Sequence, residues 1–269
     1  MAKFLAALDE MKKIAGIKKI TMAADERASG KRAIPYTKEP GSWVMFLAAF
    51  SVGSAVSGRF VTMSVIVFVS LALMLLAKSP AVSMVRGRKW EFLPDVFVLV
   101  LPAFAGIFYS AWLYPPLGLL YGAGAALFAL NYYFEGRRSR FPRVYAEACG
   151  MAIMGLIAAI ASSVAGGIPR HLYLWAVFSL FYFASSFRVR YANSPGYRRA
   201  GAVYSGLLIF GGIAAAALGH PVFLAFAPLA EDFYSSLKTG RGKLKFRQIG
   251  LISTAKVLVF AVLVIALGR

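Results

Sequence analysis

Residues 60–77 read FVTMSVIVFVSLALMLLA, eighteen consecutive positions without a charged side chain. Wound as an α-helix they would extend about 27 Å, close to the ~30 Å of a bilayer's hydrocarbon core. A second run, VLVFAVLVIAL at 257–267, is equally free of charge. Over 269 residues the hydrophobic fraction is 59% and the mean hydropathy +0.68, well outside the range of soluble domains. The chain therefore reads as an all-α, polytopic membrane protein.

Working outward from that run, hydropathy places nine transmembrane helices at about 42–58, 60–77, 95–113, 116–134, 144–165, 171–187, 200–218, 221–237 and 248–267. Residues 36–269 form this transmembrane domain, and residues 1–35 precede it as a basic segment. Phe4, Leu8, Met11 and Ala15 recur there at helical spacing, with Lys3, Lys12, Lys13, Lys18 and Lys19 mostly elsewhere on the wheel. That pattern predicts an amphipathic helix on an anionic membrane surface. Asp9, Glu10, Lys12 and Lys13 fall where a signal peptide needs an unbroken apolar stretch, which excludes that reading.

The formal net charge of +19 would suggest nucleic acid in a soluble protein. Here the basic residues are sorted by side. The N-terminal segment and the connectors near 78–94, 135–143, 188–199 and 238–247 hold 26 of the 30 Lys and Arg, whereas the opposite side has Arg59, Arg170 and Arg269. By the positive-inside rule this places the N-terminus in the cytoplasm and the C-terminus outside the cell membrane. The charge is topological, it removes the case for a nucleic-acid partner, and it suits anionic lipid headgroups. A single cysteine, Cys149, rules out an intramolecular disulfide.

Ionisable groups at membrane depth are costly and hence informative. Lys256 lies inside the ninth span, and Glu231 and Asp232 lie inside the eighth, so an ion pair between these sequence neighbours is expected. Such a pair serves helix packing as readily as binding or catalysis. Asn131, ending the fourth span, and Glu147, opening the fifth, either point to a shared cavity, or snorkel to the interface or hydrogen-bond a neighbouring helix. GLLYG at 118–122 predicts a close helix contact. His171 and His220 stand at outer helix ends, where two imidazoles could ligate a haem, although interfacial positions explain both.

KEPGSW at 38–43, leading into the first span, resembles the opening signature of the YwiC-like family of integral membrane proteins. EGRRSRFPRVYAEACG (135–150), SSFRVRY (185–191) and KLKFRQIGL (243–251) agree in position and flavour, so the resemblance covers most of 36–267. Pro40 stands where the family usually shows histidine. The family is in turn distantly similar to the UbiA superfamily of intramembrane prenyltransferases, which implies a UbiA-like fold of nine helices around a cytoplasm-facing cavity. Those enzymes hold magnesium and a prenyl diphosphate with two aspartate-rich motifs. The corresponding stretches here, KSPAVSMVRGRK (78–89) and SSFRVRYANSPGYRR (185–199), contain no Asp or Glu, so magnesium in that form is not expected.

Cations stand there instead. Lys78, Arg188 and Arg190 become candidates to grip a phosphate or carboxylate, and Glu39, Asn131, Glu147, Glu231, Asp232 and Lys256 complete the set of ligand-binding candidates. The resemblance implies a prenylated or otherwise lipidic anionic ligand and, if there is a reaction, a divergent transferase. A non-catalytic lipid-binding or assembly factor of a membrane complex is the alternative. A small-molecule transporter comes third, because no internal repeat or paired interrupted helices are evident.

Overall fold

The computed structural model describes residues 40–58, 61–87, 90–137, 143–166, 172–193, 197–237 and 246–268. The expected amphipathic helix within 1–35 lies outside these residues. The described residues are helical throughout: α1 (Pro40–Val56), α2 (Thr62–Gly87), α3 (Leu93–Leu113), α4 (Pro115–Gly136), α5 (Arg143–Gly166), α6 (Leu172–Asn193), α7 (Tyr197–Ala217), a 3-10 segment (Pro221–Leu229), α8 (Ala230–Leu237) and α9 (Phe246–Leu267). A short 3-10 turn, Trp90–Phe92, introduces α3. Among them six helices are long and apolar enough to cross a membrane, and the apolar stretches Gly41–Val56 and Leu172–Phe187 are shorter. The protein is a polytopic membrane helical bundle.

Short connectors force neighbouring helices to run antiparallel. Gly58 supplies the left-handed turn between α1 and α2 at φ +70°, and Tyr114 alone joins α3 to α4, whose first two positions are Pro115 and Pro116. Consequently the helix ends that adjoin the basic stretches of the sequence gather at one end of the bundle, here termed the basic end.

Helix α5 is the most enclosed element and packs on α1, α4 and α6, while α1 also meets α9. Two glycines permit this. Gly53 on α1 lies against the Ala158 carbonyl of α5, and Gly155 on α5 lies against Ser179 and the Trp175 carbonyl of α6, with no room for a side chain at either. Within lipid, close packing and interhelical hydrogen bonds replace the aqueous hydrophobic drive. Trp175 Nε1 donates to the Ala152 carbonyl at 2.9 Å, and the fully buried Tyr182 hydroxyl donates to the Met45 carbonyl at 2.7 Å. Between α1, α6 and α9 the interior is filled by rings: Phe46, Phe178, Phe181, Tyr182 and Phe260 are wholly buried. By contrast α3 and α4 expose most of their surface, Phe104, Phe108, Trp112 and Leu119 included, as expected of faces that meet hydrocarbon.

Three expectations from sequence change. The second and sixth helices do not stop at 77 and 187; α2 continues through Lys78 and Pro80 to Gly87, and α6 continues through Arg188 and Arg190 to Asn193. Pro80 interrupts one hydrogen bond without ending the helix, which buried neighbours tolerate in membrane segments. The eighth segment is not one α-helix, because 221–229 is wound as 3-10 before α8 begins. Finally, GLLYG makes no close contact: nothing lies within 4 Å of a Cβ built at Gly118 or Gly122, both on the exposed side of α4.

Candidate functional site

The deepest ionisable groups form one centre. Lys256 projects from α9, some 15 Å along from Phe246, and α8 presents Glu231 and Asp232 in its first turn, where the helix dipole favours carboxylates. Lys256 Nζ is 2.6 Å from Glu231 Oε2 and also bonds Asp232 Oδ1. Asp232 and Lys256 are 2% and 7% exposed, whereas Glu231 is half-buried. Ser235, one turn along α8, donates its hydroxyl to Glu231 Oε1 at 2.7 Å. Bringing a lysine out of water is strongly unfavourable unless its charge is matched, and this arrangement matches it with charged acceptors on a single partner helix.

The register of α6 against α9 extends the centre. Phe181 stacks on Phe260 at 3.8 Å with the planes 8° apart. Four residues toward the basic end on each helix stand Ser185 and Lys256. Ser185 is 6% exposed and its hydroxyl has no hydrogen-bond partner among the described residues, unlike the adjacent Ser186, which donates to the Phe183 carbonyl. Tyr204 on α7 meets Phe183 and Phe187 of α6, and Phe233 of α8 lies over Gly206 of α7. These contacts put the serines of α6, α7 and α8 at one level with Lys256. The backbones of Arg188 and Arg190 continue α6 beyond that level.

The remaining candidates occupy α2, α4 and α5. Lys78 is half-buried inside α2, about 24 Å along it from Thr62, and makes no ion pair or hydrogen bond among the described residues. Asn131 donates its side-chain N–H to the Ala146 carbonyl at 2.5 Å and so ties α4 to α5. That use fits the interhelical alternative. Glu147, next to Ala146 on α5, is half-buried. The two groups of candidates share the basic end. Glu39 lies outside the described residues, as does His171. His220 is exposed at the other end of the bundle and meets Phe223 edge-on.

Sequence reasoning missed Ser185 and Asp95. Asp95 sits in the first turn of α3 with Oδ2 buried and unpartnered among the described residues, and its signal was a carboxylate directly after Pro94 at a helix start. Ser185 carried a weaker signal, a doubled serine within an apolar helix. Among the described residues no group of three or more His, Cys, Asp or Glu is disposed to hold a metal ion. An open groove of about 570 Å³ runs along the outer face of α3 between Leu101, Phe104, Ala105, Phe108, Tyr109 and Trp112, and none of the candidate residues lines it.

The family model described as YwiC-like protein matches residues 36–162, from the approach to α1 almost to the end of α5. Lys78, Asn131 and Glu147 fall within the matched stretch, whereas the Lys256 centre and the motifs SSFRVRY and KLKFRQIGL fall beyond it. No curated protein and no solved structure matches the chain.

Proposed function

We propose that this chain, YwiC-like over residues 36–162, binds a lipidic anionic molecule at the basic end of its bundle, with Lys78 as the charge partner of the anion. The observation that carries this reading is Lys78 itself. A half-buried lysine held on a continuous helix, with no ion pair or hydrogen bond among the described residues, is a cation whose charge an anion can compensate. A phosphate or carboxylate with an apolar tail satisfies both its charge and its surroundings.

Further proposals follow from the same reading. The basic end faces the cytoplasm, as the 26 basic residues on that side support. The bundle makes nine crossings in a UbiA-like arrangement, the eighth by the 3-10 segment and α8 together, which span about 18 and 12 Å. Lys256 belongs to the framework rather than to the anion site, because its ammonium is already engaged by Glu231 and Asp232. If the ligand is turned over, the reaction is a group transfer that does not use carboxylate-held magnesium, since the described carboxylates are not grouped to bind it.

The test is native mass spectrometry of protein released from membranes, comparing the native chain with Lys78→Met. Retention of an anionic lipid at least tenfold above the variant is expected, and equal retention would overturn the reading. Small-molecule transport is a second reading, favoured by one observation: residues 221–237 are an interrupted membrane segment, of the kind that builds substrate sites in transporters.

A further inference from the structure

Nine residues is long for a 3-10 helix, whose hydrogen bonds are poorer than those of an α-helix and which usually ends within a turn or so. Three features hold residues 221–229 in this form. Pro228 would direct its ring at the Leu224 carbonyl in an α-helix, so rewinding is opposed from within the segment. Gly212 of α7 admits the Phe223 carbonyl, which would lie 2.6 Å from a Cβ at that position. Beyond the segment, α8 is pinned to α9 through Lys256, Glu231 and Asp232.

The two forms differ in length and in rotation. As 3-10 the nine residues rise about 18 Å in about three turns; as α they would rise about 13.5 Å in about two and a half. Rewinding would therefore draw α8 about 4–5 Å toward His220 and turn it by about half a revolution. Glu231 and Asp232 would then face away from α9. Better backbone bonds favour the short form, while the thickness to be crossed favours the long one. The balance is set by the contact to Lys256.

We propose that residues 221–229 are a two-state element, a 3-10 segment able to rewind as α-helix, and that the ion pairs of Lys256 with Glu231 and Asp232 latch it in the long form. Rewinding shifts the two carboxylates toward His220 and turns them from α9 without moving the α1–α5 half of the bundle. It rests on the geometry of α7, α8 and α9 and is independent of any ligand at Lys78.

The experiment places spin labels at Leu218 and Leu237, both exposed and flanking the segment, in full-length protein carrying Cys149→Ala in lipid nanodiscs. A second pair at Leu207 and Leu251, on α7 and α9, reports the surrounding bundle. The latched protein should give one distance for each pair. Lys256→Met combined with Pro228→Ala should add a population shorter by about 4–5 Å for the first pair and leave the second unchanged. An unchanged first distance would overturn the proposal, and so would equal changes in both pairs, which would mean that the substitutions loosen the bundle as a whole. Hydrogen exchange on Lys256→Met alone gives an independent reading: amides of 221–229 should exchange at least tenfold faster while those of α5 hold, and uniform or absent acceleration counts against the latch.

Discussion

Phe181 of α6 and Phe260 of α9 lie face to face at 3.8 Å, and one turn closer to the basic end on the same helices the orphan hydroxyl of Ser185 stands level with Lys256. The stack closes the interior one helical turn from the charge centre, where Asp232 and Lys256 are both buried. Carboxylates that pair with Lys256 there act across a medium of low polarity. Phe260→Ala should lower stability by about 3 kcal/mol, because a wholly buried ring leaves a void that its neighbours fill only in part. Steric trapping of the unfolded chain in bicelles measures it, and a loss under about 1 kcal/mol would mean that the site collapses.

The two carboxylates should differ sharply. Asp232 is buried, whereas Glu231 is half-exposed and shares its charge with Ser235. Asp232→Leu should cost on the order of 3 kcal/mol by leaving Lys256 poorly matched, and Glu231→Gln about 1 kcal/mol or less. The double variant Asp232→Leu with Lys256→Met should recover most of the loss. If Glu231→Gln proved the more damaging, the burial order assigned to the pair would be wrong.

Lys78→Met should leave the fold intact and raise stability by about 1 kcal/mol in the absence of ligand, since it removes a half-buried cation that pairs with none of the described residues. Unfolding by titrated denaturing detergent reads this directly. A marked loss of stability would show that Lys78 is already satisfied within the protein.

Asn131→Leu should loosen α4 from α5. Interhelical side-chain hydrogen bonds in membranes contribute about 0.6 kcal/mol on average, and the short Asn131 to Ala146 bond belongs toward the upper part of the known range, about 1.5 kcal/mol. Proteolysis at the α4–α5 connector should quicken accordingly, with the rest of the bundle unaffected.

What could be read from the amino acids follows from which forces leave a mark on them. Uncharged runs mark lipid, and sorted lysines and arginines mark sides, so the helical bundle and its basic end were legible. The contact of Lys256 with Glu231 and Asp232 was legible too, because opposite charges at matching depth on sequence neighbours have few other partners. Helix winding leaves no such mark. Residues 221–229 are as apolar as an α-helical span, and only Pro221 and Pro228 hinted that the rise per residue would change. Lys78 reads as part of a connector because charge and proline usually end a span, whereas α2 simply continues through both to Gly87. The spaced glycines of GLLYG were ambiguous for the opposite reason: small residues permit a close approach without requiring one, and Gly118 and Gly122 face outward.

The single residue between α3 and α4 bears on how the protein meets bilayers of different thickness. Tyr114 leaves no slack, so neither helix can slide along the membrane normal past the other. The two are also nearly equal in length, at 21 and 22 residues. A thinner bilayer is then met by tilting the two helices together rather than by sliding one past the other.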